Sequence, residues 1–332
     1  MKLSFSTRGW AHLNWEEWID AGVNMHFEGV EVYNLPKFPE FVERSGPFHK
    51  YNMAATVRQL REKNLTIPCF DTSCDLSSNE ENFVPSLKNL IQIAKNMQVP
   101  YVVVVALTEN EDRVKQRLNV LLPAAEQAGV AVLIKSSGIY ADTARLRTLM
   151  DEFACDELAA LWDIHHPYRD HGESADTTIK NLGAYVKHVH LRDSDDKDTY
   201  NLIGEGNLPV ADMMRALSSI DYDGFVSLEW KPEWMEDLQD PEIILPHFVN
   251  YMHRFEKTRG RKKALYPNHN GTGEYVWQKD ELIDMTFSQV LDRMVEVFPD
   301  QYAFKYTTLL PAFTPMDTRA RAKLSTSSRN SS

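Results

Sequence analysis

Cysteine is scarce in this chain: three in 332 residues, at Cys69, Cys74 and Cys155. Three thiols cannot build a disulfide framework, and so low a count points to a reducing compartment. Cys69 and Cys74 bracket Phe70-Asp71-Thr72-Ser73, and no second cysteine pair is there to complete a zinc site. Long apolar runs are also missing. A stretch of about 18 apolar residues occurs nowhere, and Met1–Arg8 lacks the apolar centre of a secretory signal. The expectation is a soluble, cytoplasmic protein with no membrane partner. Basic residues are in deficit, 36 Lys+Arg against 48 Asp+Glu, for a formal net charge of -12. Such a surface repels phosphate backbones and argues against a nucleic-acid partner.

What is present is ordinary globular composition, 43% hydrophobic and 25% charged, which excludes a chain disordered throughout. Apolar runs alternate with helical patterns as far as residue 256. Eight of these runs read as strands: Leu3–Ser6, Gly29–Tyr33, Thr66–Phe70, Tyr101–Leu107, Val130–Ile134, Leu158–Ile164, Val186–Leu191 and Phe225–Glu229. The unbroken Val102–Val105 suits a strand buried on both faces of a parallel sheet. Between the strands, Leu87, Leu90, Ile91, Ala94 and Met97 recur at helical spacing. Val114, Leu118, Leu121 and Ala125 do the same ahead of a stop at Gly129. Pro123 is expected to kink or restart that helix. Asp142 or Thr143 should cap a further one. Strand–helix alternation repeated eight times predicts a (β/α)8 TIM barrel over residues 1–256 with a short C-terminal extension. A doubly wound open sheet is the competitor, but Ser6-Thr7-Arg8-Gly9-Trp10 after the first strand is no Gly-rich phosphate turn.

In such a barrel the chemistry gathers at the C-terminal ends of the strands. The sixth ends Trp162-Asp163-Ile164-His165-His166, the seventh contains His188-Val189-His190-Leu191-Arg192, and the eighth ends Leu228-Glu229-Trp230. Asp163, His190 and Glu229 on consecutive strands form a donor set for a hard-to-borderline dication such as Mn, Mg, Co or Zn. Strand alternation puts both His188 and His190 on one face.

Asp163-x-x-His166, His188-x-His190-x-x-Asp193, Gly204-Glu205-Gly206-Asn207-Leu208-Pro209 and Leu228-Glu229 resemble the xylose isomerase-like TIM-barrel superfamily. That superfamily contains sugar isomerases and epimerases, inosose dehydratases and type IV endonucleases. The resemblance implies a metal held by a glutamate from the fifth strand together with Asp163, His190 and Glu229. It also implies His166 as a substrate contact. His188, Arg192 and Trp230 join it as candidate substrate-binding residues, Arg192 toward a hydroxyl or phosphate, with a surface salt bridge the alternative, and Trp230 as an apolar wall, with core packing the alternative. Trp10 and Trp162 offer similar walls, with core packing the alternative for each. The partner implied is a small-molecule sugar or polyol; homo-oligomerisation stays open.

The departure lies at the fifth strand, which reads Val132-Leu133-Ile134-Lys135-Ser136. Lys135 stands where the pattern has glutamate, and an ammonium cannot ligate a metal. The expectation is metal binding that is weak or absent. The chain reads as a metal-dependent sugar or sugar phosphate isomerase/epimerase impaired by Lys135, with Glu229 moving the proton. The alternative is a non-catalytic polyol-binding barrel. Lys135 as an active base or Schiff-base former is a further option, opposed by Asp163 and Glu229, which would keep it charged. A repair endonuclease is disfavoured, because the second and third strands end near Glu31 and Asp71 without histidine.

Residues 257–263, Lys-Thr-Arg-Gly-Arg-Lys-Lys, form a basic linker. Over residues 264–309, Tyr275-Val276-Trp277, Met285–Asp292 and Phe298–Ala303 resemble the opening of an AMP-forming acyl-CoA synthetase. The phosphate loop of those enzymes is absent, and the chain reads as a truncated fusion. Residues 310–332 are predicted to be a disordered tail.

Overall fold

Eight parallel strands close on themselves. In a computed structural model, which describes residues 1–80, 83–235 and 240–255, the barrel strands are β1 (Lys2–Ser6), β2 (Gly29–Tyr33), β3 (Cys69–Asp75), β4 (Tyr101–Val105), β5 (Ala131–Lys135), β6 (Leu158–Asp163), β7 (Val186–Leu191) and β10 (Phe225–Leu228). They follow one another around the barrel in chain order, and β1 pairs with β10 to complete the ring. A small antiparallel ribbon, β8 (Asp193–Ser194) and β9 (Tyr200–Asn201), sits between the seventh and eighth barrel strands. The linker, the 264–309 segment and the tail lie outside the described residues. The described residues belong to one compact unit, Met1–Glu256. No helix among the described residues is long and apolar enough to cross a membrane.

The third strand differs from expectation. It runs Cys69–Asp75 instead of Thr66–Phe70, and Thr66 makes only an isolated bridge to Gly29. Pro68 has no N–H to offer a ladder, which pushes the pairing C-terminally. The polar Thr72-Ser73 then enters the strand through a register shift between Asp71 and Asp75, with Thr72 Oγ1 donating to the Val103 carbonyl at 2.7 Å. No restart occurs at Pro123: the helix Glu111–Ala128 passes through it as one element. Burial of Leu118, Leu121, Leu122 and Ala125 on one face supplies the packing that outweighs the missing N–H. Gly129 ends that helix at φ 66°, and Asp142 caps the helix Thr143–Phe153 by accepting from the N–H groups of Ala144 and Arg145.

Strand parity fixes what the barrel encloses. Glu31 on β2 touches His188 on β7, and those strands are not neighbours, so both side chains point into the lumen. The same parity turns Cys69, Val103, Leu133, Ala159 and Leu161 inward, where they form a separate apolar floor. The opposite parity packs Val102, Val104, Val132, Ile134 and Ala160 into the larger core that includes the surrounding helices. Above the apolar floor, the inward positions become polar.

Candidate functional site

At the C-terminal end of the barrel, β5 delivers Lys135, β6 delivers Asp163, and Glu229 follows β10 directly. Lys135 Nζ lies 2.9 Å from Glu229 Oε2 and 3.1 Å from Asp163 Oδ2. Arg192, just past β7, reaches the same two carboxylates: Nη1 is 2.7 Å from Glu229 Oε2, and Nη2 is 3.0 Å from Asp163 Oδ2. Arg8, from the short turn after β1, donates to Glu229 Oε1 at 2.6 Å while its guanidinium stacks 4.8 Å over the Tyr33 ring. The backbone N–H of His165 fills Asp163 Oδ1 at 3.1 Å. Every oxygen of the two carboxylates is therefore engaged. Burial favours their neutral forms, but Arg192 and Lys135 outweigh it and hold both well below the usual carboxylate range. Burial opposes the charge on Lys135 in turn, and Glu229 with Asp163 raises it above the ordinary lysine value. Lys135 is thus a fixed ammonium, a hydrogen-bond donor and not a nucleophile.

One layer deeper, the Nε2 atoms of His188 and His190 both lie 2.8 Å from Glu31 Oε2. His190 Nδ1 faces Glu229 Oε2 at 3.5 Å. Burial disfavours both imidazolium forms. For His188 burial wins and its pKa falls; for His190 the attraction of Glu31 outweighs burial and holds it up at about 9. Glu31 is buried yet lies well below its ordinary value because His190 and His188 face it. The layer therefore consists of one anion, one cation and one neutral ring.

Above the ion cluster lies a cavity of about 230 Å³, lined by Arg8, Tyr33, Lys135, His166, Arg192, Glu229 and Lys231, with Val105 and Leu107 as apolar wall. His166 directs Nδ1 to Asp170 Oδ2 at 2.6 Å, leaving Nε2 4.0 Å from Asp163. Tyr200 and Trp234 stack at 4.0 Å, and the Arg192 guanidinium lies 5.8 and 5.5 Å from their ring centres. The loop carrying Tyr200 is pinned by Asp193, whose carboxylate accepts from the N–H groups of Ser194, Gly204, Gly206 and Leu208. A Cβ on Gly206 would collide with that carboxylate, which accounts for the glycine in the Gly204–Pro209 motif.

The structure brings Lys135, Asp163, His190, Arg192 and Glu229 into one cluster, with His166 at its mouth. His188 is fully buried beneath, on Glu31, and does not line the cavity. Trp230 is also buried, packed against Gly9 and edge-on to Trp234 at 6.0 Å, behind the cavity wall. Trp10 and Trp162 belong to the core. Arg8, Tyr33, Asp170 and Lys231 were not singled out from sequence, and Glu31 was noted without a partner. The signal for Glu31 was a lone charge inside the strand Gly-Val-Glu-Val-Tyr.

Asp163, His190 and Glu229 each offer a ligand atom, all within 4.8 Å of one another, and Glu31 makes similar groups with Asp71 and His190 or with Cys69 and His188. The chemistry around the first set does not fit a dication. Its carboxylate oxygens are committed to Lys135, Arg192 and Arg8, and an ion there would stand beside fixed positive charges in a buried site. In the second and third sets, Glu31 Oε2 already accepts from both imidazoles.

Residues 19–245 match the family described as xylose isomerase-like TIM barrel. Among curated proteins, the chain is similar to fructoselysine 3-epimerase of Shigella flexneri, 25% identical over 222 residues, which are 63% of this chain and 72% of that protein. Among solved structures, D-psicose 3-epimerase from Clostridium cellulolyticum H10 with D-tagatose superposes with a TM-score of 0.63 at 14% identity, covering 77% of this chain and 99% of that one. The IolI protein with a bound zinc atom superposes with a TM-score of 0.60 at 16% identity, covering 77% and 96%.

Proposed function

This chain belongs to the xylose isomerase-like TIM barrel family, and we propose that it binds a small ligand of the sugar or polyol class at the barrel mouth, with Lys135 and Arg192 in place of a divalent metal. One observation carries the reading: Lys135 Nζ sits between Asp163 and Glu229, at 3.1 and 2.9 Å. With a glutamate at this position, three carboxylates would face a dication. With lysine, the counter-charge belongs to the chain, and the two carboxylates are matched by ammonium and guanidinium. The similarity to fructoselysine 3-epimerase supports a polyhydroxylated ligand, and a cavity of about 230 Å³, below the ~300–1,000 Å³ of drug-sized sites, suits one of monosaccharide size.

The arrangement disfavours proton transfer by carboxylate. Glu229 is held ionised by three cations and is a poor base. Lys135 and Arg192 are placed to donate hydrogen bonds to ligand oxygens. His166 presents Nε2 to the cavity with Asp170 fixing the other ring nitrogen. Isomerase or epimerase turnover is expected to be small.

A second reading keeps the metal-dependent epimerase, because Asp163, His190 and Glu229 converge and three protein ligands hold zinc in some catalytic sites. Elemental analysis after dialysis, with metal titration of the unmodified protein and Lys135→Glu, separates the two. Weak or undetectable binding that rises on substitution supports the first reading. Stoichiometric, tight metal unaffected by the substitution overturns it. The resemblance of residues 264–309 to the opening of an AMP-forming acyl-CoA synthetase is a separate proposal, with no adenylating site attributed to it.

A further inference from the structure

We propose that the ligand carries an anionic group, a carboxylate or a phosphate on a small polyol, and that Lys231 and Arg8 receive it. The inference rests on the preceding reading of the mouth as a ligand site and adds the charge of the ligand.

Four cations border the cavity: Arg8, Lys135, Arg192 and Lys231. Two of them, Lys135 and Arg192, are shared between Asp163 and Glu229 and have their charges matched there. Arg8 and Lys231 are the excess. Arg8 uses Nη1 on Glu229 Oε1 and otherwise stacks on Tyr33; no second acceptor meets its guanidinium among the described residues. A guanidinium has five donors in a planar fork that fits carboxylate or phosphate oxygens in pairs. Lys231 lines the same cavity and forms no ion pair among the described residues; its ammonium lies 5.3 Å from the centre of the Trp234 ring.

The other charges nearby do not cancel the excess. Glu31 and His190 neutralise each other one layer below. Asp71, buried beneath, adds to the negative field at Arg8 but forms no ion pair with Arg8 or Lys231 among the described residues. Asp170 is bound to His166 and to Lys197. The whole chain carries -12, so a positive cavity is not a sample of its general surface. A neutral sugar would leave Lys231 without a counter-ion and most of the Arg8 fork, beyond its one bond to Glu229, without an acceptor in a partly dry site, whereas an anion supplies acceptors to both.

The test uses three six-carbon probes that differ in one group: D-glucitol, D-gluconate and D-glucitol 6-phosphate. Each is titrated calorimetrically into the full chain at low salt. At least one of the two anions is expected to bind about tenfold more tightly than glucitol, and that advantage should shrink as salt rises. The two anionic arms separate carboxylate from phosphate. Lys231→Gln, at a half-buried surface position, should leave the melting temperature in place and remove most of the anion's advantage over glucitol. Glucitol binding as tightly as both anions, or an anion advantage untouched by Lys231→Gln, overturns the inference and leaves the polyol reading standing. Failure of all three probes to bind overturns both.

Discussion

Glu31 and His190 face each other across the barrel lumen at 2.8 Å, a contact between strands that are not neighbours in the sheet. The pair binds β2 to β7 through the interior. It also turns His190 Nε2 away from the mouth, so the residue that the family pattern offers to a metal is committed below as well as above. Its position between Glu31 and Glu229 keeps the ring charged.

That charge gives a pH signature. His190 moves from an ordinary 6.5 to about 9 on folding, so its contribution is fully present below pH 6.5 and is lost as pH rises through 9. The shift corresponds to about 3 kcal/mol. Thermal melts between pH 6.5 and 8, below the range where the thiols of the unfolded chain titrate, should show stability falling. Glu31→Gln should flatten that dependence and bring the midpoint of the His190 ring titration, followed by NMR, down toward 6.5. An unchanged pH slope in the variant would disprove the coupling.

Lys135→Met removes the ammonium and adds no ligand. Asp163 and Glu229 would then depend on Arg192 and Arg8, and breaking a buried pair from one side costs about 3–5 kcal/mol. The expected result is a large drop in denaturation midpoint with no gain in metal affinity. A gain equal to that of Lys135→Glu would show that relief of repulsion alone suffices.

His165 is a different kind of histidine. Burial lowers it to about 4, and both ring nitrogens lack a partner among the described residues while the ring stacks 5.2 Å from Tyr200. Its folded pKa lies below the unfolded one, so stability should decline as pH falls from 6.5 toward 4. His165→Phe loses no hydrogen bond and is expected to be neutral or stabilising at pH 7 and to soften that acid decline. Loss of folded protein would mean that a nitrogen does have a partner.

Asp193 holds four backbone N–H groups of the loop that carries Tyr200. Asp193→Ala should cost about 3 kcal/mol, since bonds to a charged acceptor are worth ~1.5–3 kcal/mol each but are not additive. Hydrogen exchange localised to residues 194–208 is the direct readout. Uniform exchange across the barrel would point to a global effect instead.

Much of the barrel was legible because buried parallel strands write themselves as apolar runs. Gly29–Tyr33 and Val186–Leu191 have the predicted bounds, and the shared face of His188 and His190 followed from alternation. The third strand was displaced because its polar residues, Asp71 to Asp75, look like a loop until Thr72 is seen to bond a neighbouring carbonyl. Lys135 stood out only against a family pattern. The partnership of Glu31 with His188 was hidden: the two are 157 positions apart, and periodicity gives the face of each strand without saying which strands meet across the lumen. Arg8 was hidden in the same way, since closure of β1 on β10 is what carries it to Glu229.

The ammonium of Lys135 between two carboxylates has a consequence for how such a barrel depends on its surroundings. A coordinated ion can be stripped by a chelator or run short when the cell's metal supply falls. A counter-charge built into the polypeptide dissociates in neither case. Lysine and glutamate codons differ by one base, so on the proposed reading a single point mutation would separate a barrel that must recruit its cation from one that inherits it.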